Sequence, residues 1–214
     1  MNNSAPSLSR RAILGAGLAC AAAPLAAQSI VPFSTPAFPR TGRTLADVVQ
    51  EGLGRHGGAL AHRDLVGIAD YAAPSRKPRF FLVDVRSGRA SSHLVSHGRG
   101  SDPEHSGWVE RFSNEPGSLA SSAGGFRTAD YYSGRHGPSQ RLIGLEPQNS
   151  NAEPRAIVIH GAWYVSPEMV RQHGKLGRSE GCFAFDEQNG SLDEVLRRLG
   201  PGRLLYAGRF GLTS

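Results

Sequence analysis

A chain of 214 residues, 39% of them hydrophobic, can bury one core of ordinary size, and its 27 glycines and 14 prolines, set between short apolar runs, argue for turns and short strands over a helical bundle. Its 24 basic and 18 acidic residues give a formal charge of +6, which suits anionic surroundings. No Lys/Arg tract with interleaved aromatics points to nucleic acid, and two cysteines are too few for a disulfide scaffold.

In chain order, Arg10-Arg11 stands before the apolar run Ile13 to Ala23, and Pro24-Leu25-Ala26-Ala27 follows as a small-residue cleavage site. The pattern over residues 1–27 resembles a twin-arginine export signal to the periplasm or cell envelope. The run is too short to span a bilayer comfortably, so no membrane span is expected after cleavage. Lipidation at Cys20 is disfavoured by Gly17, which stands where a lipoprotein box carries leucine. Cleavage after Ala27 removes two arginines and no acid, leaving a formal +4, and keeps Cys182 as the one remaining thiol. A lone thiol in an oxidising compartment is either buried and inert or kept for its reactivity.

Residues 28–43, with Pro32, Pro36 and Pro39, read as a linker, and 44–214 as the folded domain. Leu45, Val48, Val49 and Leu53 recur at helical spacing behind Thr44 as N-cap, with Gly57-Gly58 as the stop. Leu65 to Asp70 is a short apolar run. Phe80 to Val85, a Ser87-Gly88 turn and Ser92 to Val95 form a hairpin pattern. Residues 96–138, rich in Gly, Ser and His, read as long loops around short strands. Arg141 to Leu145 and Arg155 to His160 read as strands. Ser166-Pro167 opens a short helix that Gly174 closes, and Ser191 to Glu194 reads as a capping box before Leu192, Val195, Leu196 and Leu199, stopped by Gly200-Pro201. Arg203 to Ala207 is a last strand. The class is β-rich α+β with a few short helices.

Chemistry concentrates in two stretches. His160 ends an apolar strand and is followed by Gly161, and Cys182 follows Gly181 in the stretch GRSEGCFAFD. A cysteine nucleophile needs a base beside it and backbone N–H groups for the oxyanion formed on attack, and the intervening helix and glycine-rich turn leave room to bring the pair together.

The sequence HGAWYV followed by Ser179-Glu180-Gly181-Cys182 resembles the signature of the L,D-transpeptidase (YkuD-type) family. SHGRGSD, FSNEPGS, SSAGGFRT, SGRHG and LIGLE are similar to its murein L,D-transpeptidase catalytic domain-like branch. The resemblance implies a β-sandwich catalytic domain acting on peptidoglycan stem peptides without a cofactor. It implies Cys182 as nucleophile, His160 as base, the Gly161 carbonyl as its orienting partner, and the Gly181 and Cys182 amides as oxyanion hole. Ser179, Tyr131, His136 and Trp163 are candidate substrate contacts, with Tyr132 beside Tyr131 as a further groove candidate and Ser179 equally a support of its own turn. The chain departs from the family at Glu180, where His or Trp is common, and at Phe183-Ala184 after the cysteine; a carboxylate turned inward at Glu180 would oppose a thiolate. Amine or water could resolve the acyl-enzyme, so transpeptidase and carboxypeptidase both stand, and a wall-binding protein without catalysis stands beside them. A catalytic thiol is expected to alkylate quickly near neutral pH and to be acylated by a carbapenem. His97 and His136 are loop supports or substrate contacts, and His56, His62, His93, His105 and His173 are expected at the surface. No HExxH or comparable spacing supports a zinc peptidase.

Overall fold

The computed structural model describes residues 42–213; the export signal and most of the linker expected from the sequence lie outside them. Helix α1 (Leu45–His56) opens on Thr44, whose hydroxyl accepts the Asp47 N–H while the Asp47 carboxylate accepts the Thr44 N–H. This reciprocal cap satisfies two end donors at once. Arg43, placed in the linker by sequence, bridges Leu212 and pairs with Glu51, so it belongs to the folded domain.

Eight strands follow, β1 (Leu65–Asp70), β2 (Phe80–Asp84), β3 (Ala90–His93), β4 (Gly124–Gly134), β5 (Gly137–Gly144), β6 (Val158–Gly161), β7 (Phe183–Phe185) and β8 (Leu204–Gly208), with α2 (Pro167–His173) before β7 and α3 (Ser191–Leu199) after it. They form one mixed sheet in the order β3-β2-β1-β8-β4-β5-β6-β7. Only the β1–β8 and β6–β7 pairs are parallel.

The sheet curls until its ends meet. Phe80 of β2 and Phe185 of β7 lie six strand positions apart, about 29 Å in a flat sheet at ~4.8 Å per strand, yet their ring centroids are 4.8 Å apart. The Ser96 N–H, just past β3, donates to the Ala184 carbonyl of β7 at 3.0 Å. The sandwich-like layering expected from sequence is therefore built from a single folded sheet. Between the layers lie Leu65, Phe80, Phe126, Ile159, Phe183 and Phe185 with the apolar face of α3. Val66 and Ile68, on the other face of β1, pack with Leu204 and Tyr206 under α1. Period-2 alternation along β1 thus feeds two cores, which is why all six of its residues are buried.

Several boundaries differ from the sequence reading. The stretch expected as loops contains the 11-residue β4. Its glycines serve close approach, since a Cβ on Gly125 would lie 2.5 Å from His56 Cδ2. The hairpin partner β3 begins two residues earlier than expected. β6 begins at Val158 because residues 151–156 form turns ending at Ala156, whose φ is 52°. α3 is capped by Gly190 at φ 80° with no side-chain cap; Ser191 is its first residue, and its hydroxyl lies 2.9 Å from His93 Nδ1. His56 and His93, expected at the surface, are buried, His56 beside Glu146 at 3.0 Å. Among the described residues no helix is long and apolar enough to cross a membrane.

Candidate active site

Two parallel strands set the pair of chemical interest. Ile159 and Phe183 are register partners with side chains in the core, so His160 and its partner Ala184 face the other way. Cys182, two residues before Ala184, comes to that same face beside Val158. Gly181 delivers it with φ 117°, and a Cβ there would lie 2.8 Å from the Ala120 carbonyl oxygen; only glycine passes this point without strain.

Cys182 is half-buried, the one free thiol of the described residues. It donates to the Ala156 carbonyl at 3.4 Å, and the Val158 N–H is near enough to favour its charged form. His160 is 3% exposed, and its Nδ1 lies 2.8 Å from the Gly161 carbonyl oxygen. A carbonyl only accepts, so Nδ1 carries the proton and Nε2 keeps a lone pair for chemistry. Burial pushes the Cys182 thiol up, with Glu180 adding to the shift and the Val158 N–H, Arg135 and Arg155 opposing it. Burial holds His160 down; the Gly161 contact opposes this, while His136 and Arg135 add to it. The resting pair is a neutral thiol and a neutral imidazole.

Both side chains line one cavity of about 410 Å³, with Tyr132, His136, Arg155 and Tyr164 in its walls. His136 stacks on His160, ring centroids 4.3 Å apart and planes 26° from parallel. A larger cleft, about 600 Å³, lies between α2 and the start of α3; it holds no cysteine, and Ser191 and His93 are in its lining. No group of three or more metal-ligating side chains occurs among the described residues.

Of the other candidates, Ser179 is buried beneath the turn. Its hydroxyl donates to the Cys182 carbonyl at 2.7 Å and accepts the Gly181 N–H at 3.2 Å. The Gly181 amide, expected in the oxyanion hole, is thus engaged by Ser179, and the Cys182 amide has no acceptor among the described residues. Tyr131 is corrected: its hydroxyl donates to the Leu196 carbonyl at 2.7 Å, away from the cavity, and strand alternation puts Tyr132 there instead. Trp163 is 70% exposed and borders a neighbouring cavity with Glu187 and Asp193. Glu180 points outward, its carboxylate 2.9 Å from Arg99 Nη2. His97 does not line the cavity of Cys182; it is buried between Arg79 and Asp102.

Of the two tyrosines that sequence reasoning named together, Tyr132 lines the cavity; Tyr164 and three arginines, Arg135, Arg155 and Arg178, were missed. A period-2 pattern cannot say which of two adjacent tyrosines faces in, and single arginines carry no spacing signal.

These features, a curled sheet with His160 on one strand and Cys182 leading into the parallel strand beside it, define a candidate cysteine acyl-transfer site. A model of the L,D-transpeptidase catalytic domain matches residues 51–207, and the chain belongs to that family. Comparison with curated proteins gives no match. Similar solved structures include an L,D-transpeptidase from Mycobacterium smegmatis, 12% identical over 68% of this chain and 58% of that one, TM-score 0.40. L,D-transpeptidase 3 from Mycobacterium tuberculosis, in complex with a faropenem-derived adduct, is 11% identical over 67% and 60%, TM-score 0.42. An L,D-transpeptidase from Xylanimonas cellulosilytica is 16% identical over 67% and 60%, TM-score 0.38. The matched part of this chain spans about 60% of the length of these proteins.

Proposed function

We propose that the chain is a peptidoglycan L,D-transpeptidase acting through a Cys182 acyl-enzyme. The observation that carries this reading is the placement of Cys182 and His160 in one cavity, with Gly161 fixing the imidazole so that Nε2 is the free base. His160 Nε2 takes the thiol proton as the sulfur attacks the carbonyl before the terminal D-Ala of a stem tetrapeptide. The tetrahedral oxyanion meets the free Cys182 N–H. Collapse breaks the C–N bond, His160 returns the proton to the departing amine, and D-Ala leaves. An amine from a second stem then gives up its proton to His160, attacks the thioester, and forms a 3→3 crosslink while the thiol is restored. Water in the amine's place gives carboxypeptidase activity from the same intermediate.

Glu180, the departure from the family pattern beside the nucleophile, has its carboxylate on Arg99 at the surface, so it opposes the thiolate through its charge alone. The site would work in the cell envelope, reached by the twin-arginine route. The test is mass spectrometry of products from disaccharide-tetrapeptide: D-Ala release with crosslinked dimers is expected, release without dimers makes the chain a carboxypeptidase, and activity surviving in Cys182→Ala overturns the mechanism.

A further inference from the structure

The cavity around Cys182 is lined by three guanidinium groups and one carboxylate. Two of the arginines are committed to the protein. Arg155 Nη1 donates to the Ser113 carbonyl at 2.6 Å and to Ser122 Oγ at 2.7 Å, and its Nη2 donates to the Ala120 carbonyl. Arg178 Nη1 donates to the carbonyls of Asp102 and Pro103. The carboxylate, Glu180, is turned to Arg99. Arg135 differs. Its one hydrogen bond runs from Nε to His136 Nε2 at 2.9 Å, and both of its Nη groups lack a partner among the described residues.

The position of Arg135 is set by the β4–β5 hairpin. Gly134 pairs with Gly137, leaving Arg135-His136 at the turn with neither at positive φ, and Gly137 follows them at φ 71°, the left-handed residue that returns such a turn to the next strand. His136 then stacks on His160, which seats the hairpin tip over the catalytic imidazole. The charge of Arg135 is felt by His160, Cys182 and Tyr164 alike. A cavity with net positive charge and one uncommitted guanidinium is built to receive an anion, and an arginine fork pairs with carboxylate through two parallel hydrogen bonds.

Reaction geometry says which carboxylate. The leaving nitrogen must come to His160 Nε2 to be protonated, and in a C-terminal residue the α-carboxylate is two bonds from that nitrogen. It therefore falls beside the hairpin tip above His160. We propose that Arg135 binds the α-carboxylate of the residue expelled from the donor, so that the site selects peptides whose scissile bond is the last one. This rests on the acyl-transfer reading above. The proton path and bond changes are those already given, and the carboxylate stays ionised from binding to release.

The test compares a tetrapeptide donor ending in a free carboxylate with the same peptide ending in a carboxamide, using the full chain and its Arg135→Gln and Arg135→Lys variants. The wild-type protein should favour the carboxylate about tenfold to a hundredfold in kcat/KM, the scale of a charge-assisted bidentate contact. Arg135→Gln should bring that ratio close to one, mainly by raising KM for the carboxylate donor, and Arg135→Lys should retain part of it. A general loosening of the hairpin would slow both donors and leave their ratio unchanged, so a ratio that persists in Arg135→Gln overturns the proposal, as does a wild-type protein with no preference. If wild type releases no residue from either donor, the acyl-transfer reading falls and calorimetry decides Arg135. Carboxylate peptide bound more tightly than amide by Cys182→Ala, but equally by Cys182→Ala/Arg135→Gln, supports it; equal binding by Cys182→Ala refutes it.

Discussion

His97 Nε2 and Asp102 Oδ2 lie 3.1 Å apart, both side chains sealed from solvent, and Arg79 Nη2 sits 2.7 Å from the other ring nitrogen. A guanidinium only donates, so His97 Nδ1 accepts and Nε2–H points to the carboxylate. The His97 carbonyl accepts the Ser179 N–H at 2.9 Å, which ties this buried group to the turn carrying Cys182. Burial, reinforced by Arg79, pushes His97 down to about 4. In the unfolded chain histidine titrates near 6.5, so between pH 6.5 and 4 the unfolded state binds the extra proton and stability falls as pH is lowered through that window, then levels off. His97 alone accounts for on the order of 3 kcal/mol, and His93 and His160, also held down by burial, act in the same direction. Urea unfolding should show this loss between pH 7 and 4, and His97→Gln should flatten it. An unchanged slope in the variant would show that His97 is not the titrating group.

Gly181→Ala should fail in a different way. Its backbone sits at φ 117°, and the new Cβ would meet the Ala120 carbonyl at 2.8 Å and Arg155 Nη2 at 3.3 Å. Backbone strain alone is about 1–3 kcal/mol, and the turn can relieve the clash only by moving Cys182. Thermal melting should therefore report a modest loss, while D-Ala release falls by about a hundredfold or more, the effect of a displaced reacting atom. Full activity in this variant would mean that the thiol does not depend on the turn.

Ser179→Ala removes both hydrogen bonds that close the same turn, to the Cys182 carbonyl and from the Gly181 N–H. Leaving these buried groups unpaired should cost about 1–3 kcal/mol. Because the hydroxyl holds the backbone, the expected signature is a drop in kcat with little change in KM; a change confined to KM would identify Ser179 as a substrate contact.

What the sequence made legible was local and periodic. Thr44 announced α1, the spacing of Leu192, Val195, Leu196 and Leu199 announced α3, and the pairs His160-Gly161 and Gly181-Cys182 marked the two stretches that meet in the cavity. What it hid depends on partners far away in the chain. β7 is three residues long and is a strand because β6 lies parallel beside it. β4 tolerates Gly124 and Gly125 because Glu146 and His56 occupy the space their side chains would need. Tyr132 faces the cavity in place of Tyr131 because the β4–β5 register shifts between Thr128 and Tyr131, and no feature of the string YY reports a bulge. Ser191 was misread because Gly190 reaches a positive φ and frees the serine hydroxyl to meet His93.

The electrostatics of Cys182 and His160 also change the expected reactivity of the thiol. A preformed thiolate–imidazolium pair would alkylate rapidly at neutral pH, as a catalytic cysteine was expected to do. Here burial opposes charge on both partners, raising the thiol and lowering the imidazole, so the thiolate forms only as His160 takes its proton during attack. Iodoacetamide should therefore label Cys182 slowly at pH 7, with the rate climbing above pH 9. Turnover of a peptide donor needs His160 neutral, so kcat/KM should fall on the acid side with an apparent pKa below histidine's ordinary 6.5. Glu180→Gln removes a carboxylate that disfavours the thiolate, and an exposed charge of this kind acts with up to roughly 1 kcal/mol, so labelling at pH 8 should rise by up to about fivefold. Rapid labelling at pH 6 that is lost in His160→Ala would instead establish the ion pair and reverse the order of proton transfer and attack.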